Sequence, residues 1–438
     1  MTSSVWHPNT QMKEWGTFDT ISQGKGIWLI DSKGNKIIDA VGSMWCNVWG
    51  HSNPELVNAI TKQSKKIQHS SMFNLTNEPV EKLAKNLIKI SPGMNKVFYS
   101  DNGSSAMEIA IKIALQYWKN IGESKKTKIA TIENGYHGDT FGAMSVGYVP
   151  EFFGKFKKQL FSTIQFPVPN KYRIPKGQTL TDYQNECLDK MEKKFSNNNS
   201  IAAFIMESGA QMAGGVIIYP KDFQRKISKL CKKYGILFVL DEIATGFGRL
   251  GSMVQYQEQK SIPDIVAYGK MLTGGYLTMA ATLSSKKIYD SFSGEFNEWK
   301  HLFHGHTYTG NPIAASVANQ NILMYEKYDL IKKIKNTSKI FSKYYDDISA
   351  IDIVGDIRHK GMLMGIELVS DKKKKTPIQT KKSINKVFFE IGKKNGIYLR
   401  TLGNIVMLVP PLAIQEKELE LLLKNTIKTI QAAKSQII

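Results

Sequence analysis

ILFVLDEIATGFGR, residues 236–249, and PDIVAYGKMLTGG, residues 263–275, decide the fold. The continuous apolar run Ile236 to Leu240 suits a strand covered on both faces, as in a parallel sheet. Asp241 ends that run. A carboxylate left ionised and unpaired there would cost several kcal/mol, so a cationic partner is expected. The second run, Ile265 to Tyr268, leads through Gly269 into Lys270. An amine on a glycine turn at the carboxyl end of a strand stands where open α/β sheets bind ligands. A protonated pyridine nitrogen suits Asp241, and holding that proton makes the ring an electron sink. Lys270, its pKa lowered by desolvation and a nearby cation, would form a Schiff base. Singly, a helix-capping Asp and a surface Lys are the plainer readings. As a pair they look like the two anchors of pyridoxal 5'-phosphate.

Around these segments KVFYS, KIATI, IAAFIME, ILFVLD, DIVAYG and MAATLS form short apolar runs separated by helical stretches or loops. That order predicts an α/β fold, with a mostly parallel central sheet flanked by helices in a large domain. GIWLIDSKGNKIIDAV alternates around a Ser-Lys-Gly-Asn turn and predicts a hairpin. From Asn53 the period becomes helical, through PELVNAITKQSKKI and NEPVEKLAKNLIKI. After about residue 316 the pattern is helical again, then supplies strands at GMLMGIELV and IVMLVPP before a terminal helix, as in a smaller α+β domain. The expected division is 1–60 for the N-terminal part of the small domain, 61–315 for the large cofactor-binding domain, and 316–438 for the C-terminal part of the small domain.

Composition narrows the function. No apolar run approaches the roughly 18 residues that span a bilayer, and MTSSVWHPNT lacks a basic stretch followed by an apolar core, so a cytoplasmic protein without a membrane role is expected. Cys46, Cys187 and Cys231 are far apart and lack metal-type spacing, which fits buried free thiols. The net charge of +21 invites a nucleic-acid reading. The lysines, however, are spread over solvated helix faces, and the dense run Lys372 to Lys375 has no interleaved aromatics, so no nucleic-acid partner is expected.

Further motifs supply chemistry. In YSDNGSSAMEIAIKIALQYWK, residues 99–119, Asn102 to Ser105 precede an amphipathic helix, and Gly103 and Ser104 can present donors to an anion at its positive end. An ordinary N-cap would use the same residues. IENGYHGDTFGAMS, residues 132–145, puts Tyr136, His137 and Asp139 on a loop after a strand, where an aromatic ring could stack on a flat cofactor. HLFHGHTYTGNP, residues 301–312, holds three histidines without metal-site spacing, and no metal is expected. Gly305 and Thr307 there better suit an amide and a hydroxyl for a phosphate. Arg400, in GIYLRTLGNIVMLVPP, suits bidentate recognition of a substrate carboxylate.

DEIATGFGR, GKMLTGG and HGHTYTGNP, in this order over nearly the whole chain, resemble the class III aminotransferases of pyridoxal-phosphate fold type I. WHPNTQM, SMWCNVWGH, ALQYWKNIG and NGYHGDTFGAMSVG are most similar to the 8-amino-7-oxononanoate aminotransferase family of biotin synthesis, and Ala244, where ornithine- and GABA-type relatives usually carry glutamine, agrees. The resemblance implies that Lys270 carries pyridoxal 5'-phosphate, Asp241 pairs with its pyridine nitrogen and Tyr136 stacks on its ring. Gly103 and Ser104 would bind the phosphate. Thr307 would reach the phosphate of a neighbouring subunit, so a homodimer with shared active sites is implied. Trp45, Asp139 and Gly305, with Tyr136, would line the substrate pocket, and Arg400 would take the substrate carboxylate. Arg249 and Glu207 would support. The implied reaction is ping-pong transamination of 8-amino-7-oxononanoate to 7,8-diaminononanoate.

The donor is left open between S-adenosylmethionine and lysine. Asn9, Met44, His306 and Met407 stand where the form using S-adenosylmethionine carries tyrosine, tryptophan, proline and tyrosine. Losing aromatic faces weakens the fit to a sulfonium-adenosine donor. The competing readings are a general ω-amino-acid transaminase and, from another class, a basic nucleic-acid-binding protein on the same fold.

Overall fold

The computed structural model describes residues 3–438, which divide into two compact units, Met1–Pro54 with Lys335–Ile438, and Glu55–Ile334.

The unit Glu55–Ile334 is built on a seven-stranded sheet. Its strands are β1 (Lys96–Ser100), β2 (Lys128–Ile132), β3 (Ile164–Phe166), β4 (Ile201–Glu207), β5 (Leu237–Asp241), β6 (Ile265–Tyr268) and β7 (Ala280–Ser284), in the order β1-β7-β6-β5-β4-β2-β3. All six apolar runs singled out in the sequence form strands, and β3 adds one too short to stand out. β7 alone runs antiparallel to its neighbours; the contacts from β6 to β3 are parallel. In register, Asp241 lies beside Glu207 on one side and Ala267 on the other. Three neighbouring carboxyl ends therefore deliver Glu207, Asp241 and, two residues past β6, Lys270 to one edge.

That edge is held by a dry core. Every residue of β4 is buried, as a strand covered on both faces requires. Helix α1 (Gly103–Asn120) packs against the sheet through Ile109, Ile113 and Tyr117, and its Trp118 Nε1 donates to the Ala202 carbonyl at 2.8 Å. The division near residue 315 falls later here than the change of pattern implied. Helix α2 (Pro312–Lys327) joins this unit because buried Asn321 donates to the carbonyls of Met271 and Leu272, just after Lys270, at 2.8 and 3.0 Å.

In the other unit, Trp28–Asp31 and Lys36–Asp39 form the expected hairpin. Asp31 Oδ1 accepts from the amides of Lys33 and Asn35, closing the turn. Ile21–Lys25 and Ile397–Tyr398 flank this hairpin. A second sheet holds Val354–Lys360, Leu363–Asp371, Ile405–Leu408 and Arg400–Leu402, with Thr376–Pro377 at its side. The chain closes on the helix Glu416–Ile437.

Phe204 is fully buried in β4 with Phe195 and Phe166 around it. Phe204→Ala is expected to destabilise this unit by about 3–5 kcal/mol through lost transfer energy and the cavity left behind, read as a lower urea midpoint by tryptophan fluorescence.

Candidate active site

Asp241 is almost wholly buried. Its Oδ1 accepts from the Ile243 amide at 2.9 Å, and its Oδ2 lies 2.8 Å from His137 Nδ1. His137 was read from the sequence as one of a loop group without a role; the fold brings it 104 positions along the chain to orient this carboxylate. The next residues on its loop complete a cluster. Tyr136 donates its amide to Glu207 Oε1 at 3.2 Å and its hydroxyl to Asp139 Oδ1 at 3.0 Å. The Asp139 amide in turn donates to Ser104 Oγ at 3.2 Å. Gly138 permits this closeness, having φ +126° and a position where a Cβ would meet Ser104 Oγ at 2.1 Å.

The start of α1 carries the N-cap that the sequence allowed. Asn102 caps it, its side chain accepting from the Ser105 amide at 3.0 Å. Gly103 and Ser104 head the helix, where an amide has no intrahelical acceptor. A Cβ at Gly103 would fall 2.9 Å from Ile243 Cγ2, and one at Gly269 3.2 Å from the same atom. Ile243 therefore sits between the anion-binding turn and the residue before Lys270 while its amide holds Asp241. Periodicity could not reveal that role, because Ile243 reads as one more apolar residue.

Lys270 is half-buried and follows extended Gly269 with a left-handed φ of 42°. Such a backbone in a non-glycine residue costs about 1–2 kcal/mol and is held where surroundings over-determine it. Pyridoxal 5'-phosphate fits this donor set. It needs an anion cradle without side-chain cover, a buried carboxylate, an aromatic ring and an amine, which Gly103 and Ser104, Asp241, Tyr136 and Lys270 provide.

Gly305 and Thr307 are exposed on a segment that contacts residues 69–73: His69 Nε2 lies 2.8 Å from the Thr307 carbonyl, and Phe73 covers Gly305. Trp45, buried, and Arg400, half-buried, belong to the unit Met1–Pro54 with Lys335–Ile438. Arg249 is fully buried. Among the described residues, no group of three or more His, Cys, Asp or Glu could hold a metal ion, and no helix is long and apolar enough to cross a membrane.

Burial dominates the ionisation of the cluster. It pushes Glu207 up to about 7, against stabilising contributions from His137 and two amides. It does the same to Glu242, whose carboxylate accepts from the amides of Gln255 and Tyr256, again to about 7. Tyr136 is raised well above the usual phenol range, by burial first and by Asp139 second.

A family model described as aminotransferase class-III matches residues 11–430. The adenosylmethionine-8-amino-7-oxononanoate aminotransferase of Staphylococcus aureus is 43% identical over 427 residues, covering 96% of this chain and 94% of that protein. The protein of the same name from Aquifex aeolicus is 42% identical over 419 residues, covering 94% and 92%. The crystal structure of the Methanocaldococcus jannaschii enzyme of that name matches with a TM-score of 0.92 and 41% identity, over 98% of this chain and 97% of that one. An omega transaminase from Pseudomonas jessenii in complex with PMP matches with a TM-score of 0.93 at 28% identity, over 99% and 97%. The fold is that of the pyridoxal-phosphate-dependent transferases of fold type I. The chain belongs to the class-III aminotransferase family: it is an aminotransferase, and its cofactor is pyridoxal 5'-phosphate.

Glu207 and Glu242 hold their protons more tightly in the fold than at their ordinary value of 4.5. Each adds stability that is fully present below that value and is lost as pH rises through about 7. The thermal midpoint is expected to fall across that window. Glu207→Gln, which starts lower because it gives up one of two accepted amide bonds, is expected to show a shallower fall in calorimetry between pH 5 and 8.

Proposed function

We propose that this aminotransferase converts 8-amino-7-oxononanoate to 7,8-diaminononanoate in biotin synthesis, with S-adenosylmethionine or lysine as amino donor. The observation that carries this reading is sequence identity: relatives bearing that activity in their names reach 43% over nearly the whole chain, against 28% for omega transaminases that share the backbone equally well.

When bound, the cofactor supplies a ring that withdraws electrons from the carbon beside the substrate nitrogen. Lys270 would hold it through its side-chain amine, and that amine, when free, would carry a proton at that carbon as general base and acid. Asp241, held by the Ile243 amide and His137, would present its carboxylate to the ring nitrogen. Gly103 and Ser104 bind the phosphate at the head of α1, and Tyr136 covers the ring while its hydroxyl is tied to Asp139. In this reading Arg400 takes the substrate carboxylate, and Trp45, Asp139 and Gly305 are further substrate-binding residues. Beside Arg400 a cavity of about 380 Å³, with Trp15, Phe18, Leu29, Ile37 and Phe389 in its walls, has room for an aliphatic chain ending in an acid.

The assembly in this reading is a homodimer. Phe73, Leu75, Trp299, Phe303 and Tyr308 expose 61–80% of their surface, and Phe73 lies against Gly305 on the segment that carries Thr307. Apolar surface gathered in this way marks an interaction face, and a second copy on it would carry Thr307 to the neighbouring phosphate. The partners otherwise are small molecules, without nucleic acid or membrane. A cytoplasmic setting accords with Cys46, Cys187 and Cys231 being thiols rather than halves of disulfides.

Sedimentation is expected to give a dimer, and Phe303→Asp to shift it toward monomer with loss of bound cofactor; a wild-type monomer that retains activity would refute the shared site. The activity itself is tested by mixing yellow protein separately with S-adenosylmethionine and with lysine, then adding 8-amino-7-oxononanoate. Bleaching by one donor, followed by recovery of colour on adding the acceptor, is the expected result, and Lys270→Ala should slow it by about 10²–10⁴-fold or more. Silence with both donors but bleaching by simple ω-amino acids would favour a general ω-transaminase.

A further inference from the structure

Gly42, Ser43, Met44 and Trp45 take left-handed backbone in succession, with φ of 52°, 50°, 73° and 71°. Only the first is glycine, and a Cβ there would fall 2.7 Å from the Val409 carbonyl oxygen. Residues with side chains avoid this region, and a run of them persists only where the surroundings impose it. The imposing group is Asp39, at the end of the strand Lys36–Asp39. It is fully buried, and its Oδ2 accepts from Ser43 Oγ at 2.8 Å and lies 3.1 Å from His51 Nε2. The turn also closes on its own backbone, Trp45 donating to the Val41 carbonyl and Cys46 and Asn47 to that of Gly42.

What this turn presents outward is Met44. Its side chain is exposed, and its Sδ lies 3.6 Å from Arg400 Nη1. Arg400 is placed from the same origin. Tyr398, two residues before it, pairs with Asp39 in parallel register, and Arg400 itself lies opposite Met407 on the next strand. One buried carboxylate thus anchors both the strained turn carrying Met44 and the strand leading to the guanidinium that Met44 touches. A plain structural anchor would need only the strand; the bond to Ser43 acts on the turn.

We propose that Asp39 is a positioning residue for substrate recognition: through Ser43 it holds the left-handed turn that seats Met44 against Arg400, and so aims the guanidinium at the substrate carboxylate. This rests on the reading of Arg400 as the carboxylate-binding residue.

The test uses the holoenzyme in the first half-reaction with two amines of equal chain length, 6-aminohexanoate and hexylamine, following loss of the yellow absorbance. The ratio of their kcat/KM values reports use of the carboxylate. Ser43 is exposed, so Ser43→Ala is expected to fold and to hold its cofactor. It should lower the ratio about fivefold, as loss of one net hydrogen bond implies, through KM for 6-aminohexanoate and with kcat kept. Met44→Ala should shift the ratio in the same direction, and Arg400→Ala should abolish the preference. If Arg400→Ala abolishes it while Ser43→Ala leaves it unchanged, or slows both amines alike, the positioning role is overturned and the reading of Arg400 stands. If Arg400→Ala leaves the ratio unchanged, that reading fails and takes this proposal with it.

Discussion

The structure depends on keeping one negative charge out of water. Asp241 ends β5 in the interior of a parallel sheet, where an unpaired carboxylate is costly. Around it the fold supplies an amide from Ile243 and an imidazole from His137, and in the proposed site the cofactor's ring nitrogen would complete the set. Each of these fixes something else. Ile243 lies against Gly103 and Gly269, which sets the spacing between the anion-binding turn and Lys270. His137 brings Tyr136 with it, and Tyr136 brings Asp139 and Ser104. A site assembled from five chain segments is therefore organised around a single electrostatic requirement.

The second carboxylate at this edge behaves differently. Glu207 is also buried, but its cross-strand neighbour is Asp241, and burial raises it to about 7. Two adjacent strands thus end in acids, and Glu207 is held near its titration point while accepting the amides of Tyr136 and Met212. Backbone strain follows the same pattern of local cost at working positions. Lys270 and the run Ser43 to Trp45 are left-handed without being glycine, a conformation that persists where the surroundings impose it.

Much of the fold was legible in the chain because strand burial writes itself into sequence as continuous apolar runs. IAAFIME and ILFVLD could hardly be anything but central strands, and the DSKGNK turn declared its hairpin through Asp31 and Gly34. The three-residue strand at 164–166 was not legible, since so short a run has no period. The end of the larger unit was equally hidden. Helix α2 has no sharp apolar face, and contacts such as Asn321 to the carbonyls after Lys270, Asn319 to Pro79 and Tyr325 to Phe247 assign it.

Sequence by itself determined the α/β class, the strand-end placement of Asp241 and Lys270, and the motifs by which the family is known, because these reside in local pattern and residue chemistry. Tertiary structure alone decided that His137 orients Asp241, that Ile243 separates two glycines, and that Asp39 governs a turn beside Arg400. Those facts rest on contacts such as His137 with Asp241 and Met44 with Arg400, between segments 104 and 356 residues apart, and a linear pattern carries no record of which distant groups the packing will make neighbours.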